Sequence, residues 1–216
     1  MATRIVHRRA RLPTRALILN EAERLIALKG VFGFTLSDVA APLAVQVPAI
    51  YKHFKGRDDV LIEVSRRFIE SLSRQFQLRS GFARSPAAAL RRSLDEFVDF
   101  HLAHPAYVRL SLVDFATPEG GVEYVKLAAG GSFQENFRSG PLAAMHSRLG
   151  ELIRAGVRSK DFRNVGSLDL YRVVKSFLLI QLVFPDDSLL ARKPTARRRA
   201  ELQAALWDLA NRYLAR

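Results

Sequence analysis

The stretch from Thr35 to Phe54 constrains this chain most, because it reads as two short helices joined by a tight turn. The Thr35 hydroxyl can cap the first helix, and Asp38, three residues later, can complete a capping box. In the second helix, Ile50 and Phe54 are four residues apart and predict one buried face. Pro48 falls in the first turn of that helix, where a missing N–H loses no hydrogen bond. This layout predicts a helix-turn-helix, whose second helix enters the major groove of DNA.

Helical spacing of apolar residues continues on both sides of this stretch. Thr14 to Lys29 carries an apolar stripe, and Gly30 follows it as a stop signal. A longer helix is predicted to begin near Arg57, with a buried set at Val60, Leu61, Val64, Phe68, Ile69 and Leu72. Beyond a break at 79–86, further helices are predicted over 87–104, 105–115, 141–157, 169–184 and 195–214. No strand pattern is found, so the sequence predicts an all-α chain of about nine helices.

The composition narrows the class of partner. Lys and Arg number 34 against 21 Asp and Glu, which gives a formal net charge of +13. Such a balance favours nucleic acid or an anionic membrane, although a general bias toward arginine would give the same charge. The absence of cysteine excludes disulfides, thiolate zinc sites and a cysteine nucleophile. The longest apolar run, Phe177 to Phe184, is far shorter than the ~20 residues of a spanning helix. We therefore expect a cytoplasmic protein with no membrane partner.

Residues 14–65 resemble the N-terminal DNA-binding domain of the TetR family of transcriptional regulators. The family pattern places an apolar stripe and a glycine before the motif, then a Thr and a Val-Ala pair, a three-residue turn, an aromatic run, and an acidic helix start. These elements are matched here by Ile18-Leu19, Ala22, Leu25-Ile26, Gly30, Thr35, Val39-Ala40, Ala44-Val45-Gln46, Ile50-Tyr51-Lys52-His53-Phe54 and Arg57-Asp58-Asp59-Val60-Leu61. The resemblance covers about a quarter of the chain.

Two positions depart from the family pattern. Ala44 stands where the turn usually has glycine, so the turn backbone is expected to be strained or differently shaped. Gln46 replaces the usual Ser or Thr cap, which weakens the start of the second helix by up to about 1 kcal/mol. Neither departure removes the fold.

The resemblance implies a set of DNA-contacting residues. The positions expected to face DNA are Ser37, Val47, Pro48, Ala49, Tyr51, Lys52 and His53, and those expected to hold phosphates are Thr35, Lys55 and Arg57. Tyr51 and His53 can bond phosphates or base edges, whereas Val47, Pro48 and Ala49 can only touch thymine methyls. The alternative for Tyr51 is an aromatic that packs inside the domain.

Residues 1–13 form a basic N-terminal arm in this interpretation. Arg4, Arg8, Arg9 and Arg11 occur there without an acid. Such an arm can lie on phosphates or reach a minor groove. A solvated, disordered terminus explains the same composition, and the two interpretations remain open.

The resemblance assigns residues 66–216 to effector binding and dimerisation. We expect a small, mostly apolar effector in a pocket formed by Phe97, Phe115, Phe133, Phe137, Met145 and Phe177. The alternative for each of these residues is plain core. The last two helices are expected to pair with their copies in a homodimer, through Val173, Phe177, Ile180, Phe184, Leu202, Leu206, Leu209 and Tyr213.

Metal and enzyme sites are disfavoured. His101, His104 and His146, with Asp114, are residue types that bind zinc, but nothing in the sequence brings all four together. Histidine near a helix C-terminus is also favoured by the helix dipole. No nucleophile elbow, phosphate-binding glycine loop or zinc-protease motif is present, so we expect no catalysis, no cofactor and no metal.

These observations predict a sequence-specific DNA-binding regulator, a ligand-responsive repressor that binds a pseudo-palindromic operator as a dimer. Two other functions share some of the same features. A non-specific nucleoid protein would share the basic charge but show no sequence preference. A small-molecule-binding helical protein or enzyme with a vestigial helix-turn-helix would bind a ligand and no DNA.

Overall fold

The computed structural model describes residues 14–78, 85–115, 138–183 and 195–215, together with residues 128, 130 and 135. Within these residues the chain forms nine α-helices and no strand, which confirms the predicted all-α class. The helices are α1 Thr14–Lys29, α2 Leu36–Ala40, α3 Val47–Tyr51, α4 Arg57–Leu78, α5 Pro86–Ala103, α6 Pro105–Phe115, α7 Ala143–Arg158, α8 Ser167–Val183 and α9 Ala196–Leu214. None of the described helices has the length and apolar character needed to span a membrane.

The N-terminal helices pack around the stripe predicted on α1. Its buried residues are Ile18, Leu19, Ala22, Leu25 and Ile26. Gly30 ends α1 with a φ of 82°, a left-handed conformation that glycine adopts without steric strain. On α4 the whole predicted buried set is inside, from Val60 to Leu72. This core holds α2 and α3 in place, while α1 packs against both α4 and α6.

The C-terminal helices form a second layer in which α5 packs between α7 and α9, and α8 packs against α9. α8 is the most apolar of them, with Leu170, Tyr171, Val174, Lys175, Leu178, Leu179 and Leu182 buried. On α9, Leu202, Leu206, Ala210 and Leu214 face the protomer's own core. Buried residues therefore lie four apart on both helices, as ridges that pack into neighbouring grooves.

α6 connects the two groups of helices, because it contacts α1 on one side and α8 on the other. The Arg109 side chain on α6 donates from Nε to the Ala27 carbonyl on α1 at 3.1 Å. Just before α6, His104 Nδ1 lies 3.5 Å from the Glu23 carboxylate of α1. These contacts join the DNA-binding motif's supporting helix to the C-terminal helices.

The boundaries of α1 and α6 match the predicted ones, and those of the other helices differ by at most three residues. The largest change is in α3, which ends at Tyr51 and not at Phe54, since the chain leaves the helix in a tight turn there. Ser85 caps α5 by accepting the Ala88 N–H at 3.2 Å, which confirms that a helix starts after the predicted break. The basic arm 1–13 and most of the break itself, 79–84, lie outside the described residues.

Candidate nucleic-acid interface

A capping box fixes the first helix of the motif. The Asp38 N–H donates to the Thr35 hydroxyl at 3.2 Å, and the Thr35 N–H donates to the Asp38 carboxylate at 2.7 Å. Lys29, at the end of α1, forms an ion pair with Asp38 at 2.8 Å. The hydrogen bond from Lys29, followed by those from Thr35, lowers the pKa of Asp38 to about 2. The predicted capping box is confirmed, and it ties α2 to α1.

The turn between α2 and α3 passes through Ala44, whose φ is 53° and ψ is 39°. This is the left-handed region, where a Cβ is crowded by the following carbonyl. The Ala44 N–H bonds the Ala41 carbonyl at 3.1 Å, and the Val45 N–H bonds the Ala40 carbonyl at 3.2 Å. Ala44 is therefore held in a conformation that suits glycine better.

Gln46 occupies the N-cap of α3 without forming a side-chain capping hydrogen bond. The helix start thus lacks the cap that a Ser or Thr would supply at this position. Pro48 lies within the first turn, where its missing N–H leaves no intrahelical bond unmade. The second departure found in the sequence therefore has the expected structural consequence.

One face of α3 is anchored and the other faces solvent. Ile50 and Phe54 are fully buried, and the Phe54 N–H bonds the Ile50 carbonyl at 3.0 Å. Tyr51 is 56% exposed, so it is not an internal packing aromatic. The other exposed residues of the predicted DNA-contacting set are Thr35, Ser37, Pro48, Lys52, His53 and Lys55.

Three residues of the predicted set are placed differently. Val47 and Ala49 are half-buried, and Val47 packs against the core, because α3 sinks into the domain on that side. The Arg57 guanidinium is turned inward: it donates to the Val31 carbonyl and lies 5.0 Å from the Phe34 ring. Since these contacts occupy Arg57 within the domain, its predicted role as a phosphate ligand finds no support in its position.

The C-terminal helices enclose a small cavity of about 40 Å³. Its lining is almost wholly apolar and includes two residues of the predicted effector pocket, Phe97 and Met145, together with Tyr171. Phe177 is not part of the lining: it is half-buried on another side of α8. The Phe115 side chain, Phe133 and Phe137 lie outside the described residues.

The predicted dimer residues separate into two groups. On α8, Val173 and Phe177 are half-buried, and Ile180 is 51% exposed, so they leave an apolar stripe on the surface. On α9, Leu209 and Tyr213 are half-buried, whereas Leu202 and Leu206 are buried inside the protomer and are not available to a partner. Helical periodicity alone could not tell the inward row of α9 from its outward row. Phe184 lies outside the described residues.

The histidines considered as zinc ligands are used separately. His101 is fully buried and its ring lies 2.9 Å from the Lys175 amine, while His104 faces Glu23 and His146 lies on α7. Among the residues whose placement is described, no group of three potential metal ligands occurs. The side chain of Asp114 is outside that set.

Sequence reasoning missed Lys175. It is 6% exposed, and its amine lies 4.4 Å from the centroid of the Tyr107 ring. The available signal was a single lysine within the apolar helix from Leu170 to Val183, four residues after Tyr171 on the same face.

Residues 18–64 match the family model described as bacterial regulatory proteins, tetR family. The N-terminal domain is a TetR-family domain. The matched segment runs from the apolar stripe of α1 to the first turns of α4, and so contains the whole exposed face of α3. Among curated proteins, none matches this sequence.

Solved structures extend the TetR fold to nearly the whole chain. A bacterial regulatory protein of the tetR family from Rhodococcus RHA1 is 18% identical, with a TM-score of 0.67 over 93% of this chain and 96% of that one. The ketosteroid transcriptional regulator KstR2 of Mycobacterium tuberculosis is 13% identical, with a TM-score of 0.64 over 95% and 97%. A protein from Saccharomonospora viridis described as a transcriptional regulator, solved in complex with choline, is 17% identical, with a TM-score of 0.65 over 94% and 97%. The chain therefore has the fold and the DNA-binding domain of a TetR-family transcriptional regulator.

Proposed function

We propose that this protein is a sequence-specific transcriptional repressor that binds a pseudo-palindromic operator as a homodimer and responds to a small ligand. The observation that carries the proposal is the exposed face of α3. Tyr51 is exposed to solvent on that face, while Ile50 on the opposite face and Phe54, three residues after the helix, are buried in the core. A short helix held in this way, on a TetR-type domain, is built to enter a major groove.

The exposed residues divide by the contact they can make. Tyr51 and His53 reach base edges or phosphates through hydrogen bonds, and Pro48 offers an apolar contact to a thymine methyl. Lys52 and Lys55 place charge where phosphates run, with Thr35 and Ser37 adding hydroxyls at the start of α2. Arg57 is left out of this set because its guanidinium is used inside the domain. Few groups read bases directly, so much of the affinity is electrostatic and falls with salt.

A palindromic operator has two half-sites, and a dimer supplies the second helix-turn-helix domain that the second half-site requires. The apolar stripe on α8, formed by Val173, Phe177, Ile180 and Val183, supports an interface between copies, with Leu209 and Tyr213 of α9 at its side. Ile180→Asp would place a carboxylate twice in a symmetric interface, and we expect dimerisation to weaken by at least about a hundredfold. Light scattering after gel filtration measures the mass. Ser147→Asp puts the same charge on an exposed position of α7, outside the stripe, and should stay dimeric. A dimeric Ile180→Asp would remove this interface from the proposal.

The cavity among α5, α7 and α8 supports a response to a ligand. Two solved structures of similar fold also support it: one is named a ketosteroid transcriptional regulator, and the other was solved in complex with choline. A ligand releases DNA only if it binds the released conformer more tightly than the bound one. Because α6 contacts both α1 and α8, a ligand-induced change among the C-terminal helices can move the helix-turn-helix domain.

Selection from random duplex DNA tests the proposal, because the protein itself picks its operator from all sequences. We expect enrichment of one pseudo-palindromic sequence, and a footprint that covers two half-sites. Insertion of five base pairs, about half a helical turn, between those half-sites should reduce binding to the level of a single half-site. No enrichment of any sequence would contradict the specific-regulator function and favour a non-specific polyanion-binding protein.

A further inference from the structure

The buried pair His101 and Lys175 is organised by hydrogen bonds. His101 Nδ1 lies 2.7 Å from the Phe97 carbonyl oxygen, which can only accept, so Nδ1 carries the proton. His101 Nε2 is then a lone-pair acceptor, and the Lys175 amine donates to it at 2.9 Å. The structure thus fixes both the tautomer of the histidine and the direction of the lysine.

No carboxylate among the described residues balances Lys175. Its amine contacts His101 and the face of the Tyr107 ring, and no described acid lies within ion-pair distance of it. Burial lowers the pKa of Lys175 to about 7. A buried ammonium group without a counter-charge is costly, and substitution by an apolar residue would remove that cost. The position of Lys175 therefore suits an anion that the described part of the chain does not supply.

The pair adjoins the apolar cavity. Phe97 lies one helical turn before His101 on α5, and Tyr171 lies one turn before Lys175 on α8. Both aromatic residues line the cavity, and the Phe97 ring packs on His101 with centroids 4.3 Å apart. Each member of the pair is thus one helical turn from an aromatic residue of the cavity lining. Met145, in the same lining, has a flexible side chain that can repack around a ligand.

We infer that the cavity binds a small carboxylic acid with an apolar body, and that Lys175 and His101 hold its carboxylate. This inference rests on the proposed function, whose effector site it specifies. At about 40 Å³ the cavity must enlarge, and the rings of Phe97 or Tyr171 must turn aside, for the acid to reach the amine. The carboxylate then receives a hydrogen bond from the ammonium group in the buried surroundings of Lys175, where such a bond is stronger than in water.

Proton uptake is a signature of this site. The titratable groups that face Lys175 are His101 from α5, Tyr107 from α6 and Tyr171 from its own helix, with His104 beyond His101. None of these groups, which are the ones that the described residues supply, is a carboxylic acid. A bound carboxylate stabilises the protonated amine, so binding at pH 8 should take up close to one proton, and the affinity should fall as pH rises above 7.

Calorimetry with octanoate and 1-octanol tests the inference directly. For the wild type we expect octanoate to bind at least about tenfold more tightly than the alcohol, as one buried charge-assisted hydrogen bond implies. Titrations at pH 8 in buffers of different ionisation enthalpy measure the proton uptake. Lys175→Met has a similar shape and no charge, and it should bind both compounds equally with no proton uptake. Equal binding of acid and alcohol by the wild type, or no binding of either, would overturn the inference.

Two further variants separate Lys175 from other cations. Arg148 on α7 also lines the cavity but is only half-buried, so Arg148→Met should keep most of the preference for the acid. Arg172→Met removes an exposed cation from α8 and should keep all of it. A preference that survives in Lys175→Met and disappears in Arg148→Met would overturn the inference by moving the anchor to Arg148.

The same samples distinguish this inference from the proposed function. Wild-type protein that binds its selected DNA but shows no preference for acids contradicts the acid site alone. Protein that binds octanoate through Lys175 but enriches no DNA sequence supports the acid site and contradicts the regulator. Both results are read from one preparation, so a folding defect would appear in both assays.

Discussion

Lys52, directly after α3, and Lys175 on α8 are both lysines without a carboxylate partner among the described residues, yet their surroundings are opposite. Lys52 is exposed, so water solvates its charge and nothing in the fold has to compensate it. Lys175 is 6% exposed and relies on His101 and the Tyr107 ring. An unpaired cation on the surface is therefore available to a polyanion at little cost in stability. In the interior it is costly, and its presence calls for a specific anion.

The largest expected effect is that of Lys175→Met on how the free energy of unfolding depends on pH. Its pKa is about 7 in the folded protein and about 10.4 when unfolded, so between these values the unfolded chain binds more protons. The free energy of unfolding should therefore rise with pH, by about 2 kcal/mol from pH 7 to pH 9. Lys175→Met should lose this rise. Urea denaturation across this pH range measures it.

Titration of His101 should not contribute to the change in the free energy of unfolding between pH 7 and pH 9. Its pKa is lowered well below the ordinary histidine value, chiefly by burial and then by Lys175, so its contribution is already complete above pH 7. Arg172→Met, on the exposed side of α8, should show the same rise as the wild type. A flat profile for the wild type would mean that Lys175 is solvated in solution, and the contrast with Lys52 would then disappear.

Ala44→Gly, in the turn of the helix-turn-helix, should have a moderate effect on the free energy of unfolding. The left-handed φ of 53° suits glycine, and relief of strain should exceed the added freedom of the unfolded chain. We expect a gain of about 0.5–1 kcal/mol in the free energy of unfolding. Ala205→Gly is the matched control, because Ala205 is exposed within α9 and should lose about 1 kcal/mol. A loss of stability in Ala44→Gly would show that the turn is not strained.

Lys52→Met should have the smallest effect on stability, within about 0.5 kcal/mol, as for other surface substitutions. Its effect should appear in DNA binding, where loss of one phosphate contact lowers the slope of log affinity against log salt by about 1. Lys175→Met should leave that slope unchanged. Titrations of DNA at several salt concentrations compare the two lysines, and equal slopes for wild type and Lys52→Met would exclude a phosphate contact at Lys52.

The helix-turn-helix was largely predictable because its sequence signals lie between residues that are close in the chain. Thr35 and Asp38 form the capping box that their spacing predicts, and Ile50 and Phe54 are buried as their spacing requires. The inward contacts of Arg57 were not predictable, and its role as a phosphate ligand stays a prediction that its position does not support. Its guanidinium lies against Val31 and Phe34, which are distant in the chain and brought near only by the fold.

The C-terminal site was less predictable because its contacts are non-local. Lys175 and His101 are 74 residues apart, and the sequence pattern singled out only the histidines as a possible ligand site. Leu202 and Leu206 fit an apolar stripe, but whether a stripe faces its own core or a partner depends on how α9 packs on α5 and α8. Helical periodicity determines which residues share a face and leaves open what that face contacts.

Whether the exposed face of α3 reads DNA is measured by the specificity ratio of Tyr51→Ala. The ratio compares affinity for the selected duplex with affinity for a scrambled duplex of equal length, at one salt concentration. We expect at least about 10³ for the wild type, a large reduction for Tyr51→Ala, and no change for Leu28→Ala, an equally exposed side chain outside this face. An unchanged ratio in Tyr51→Ala, or a wild-type ratio near one, would contradict the account.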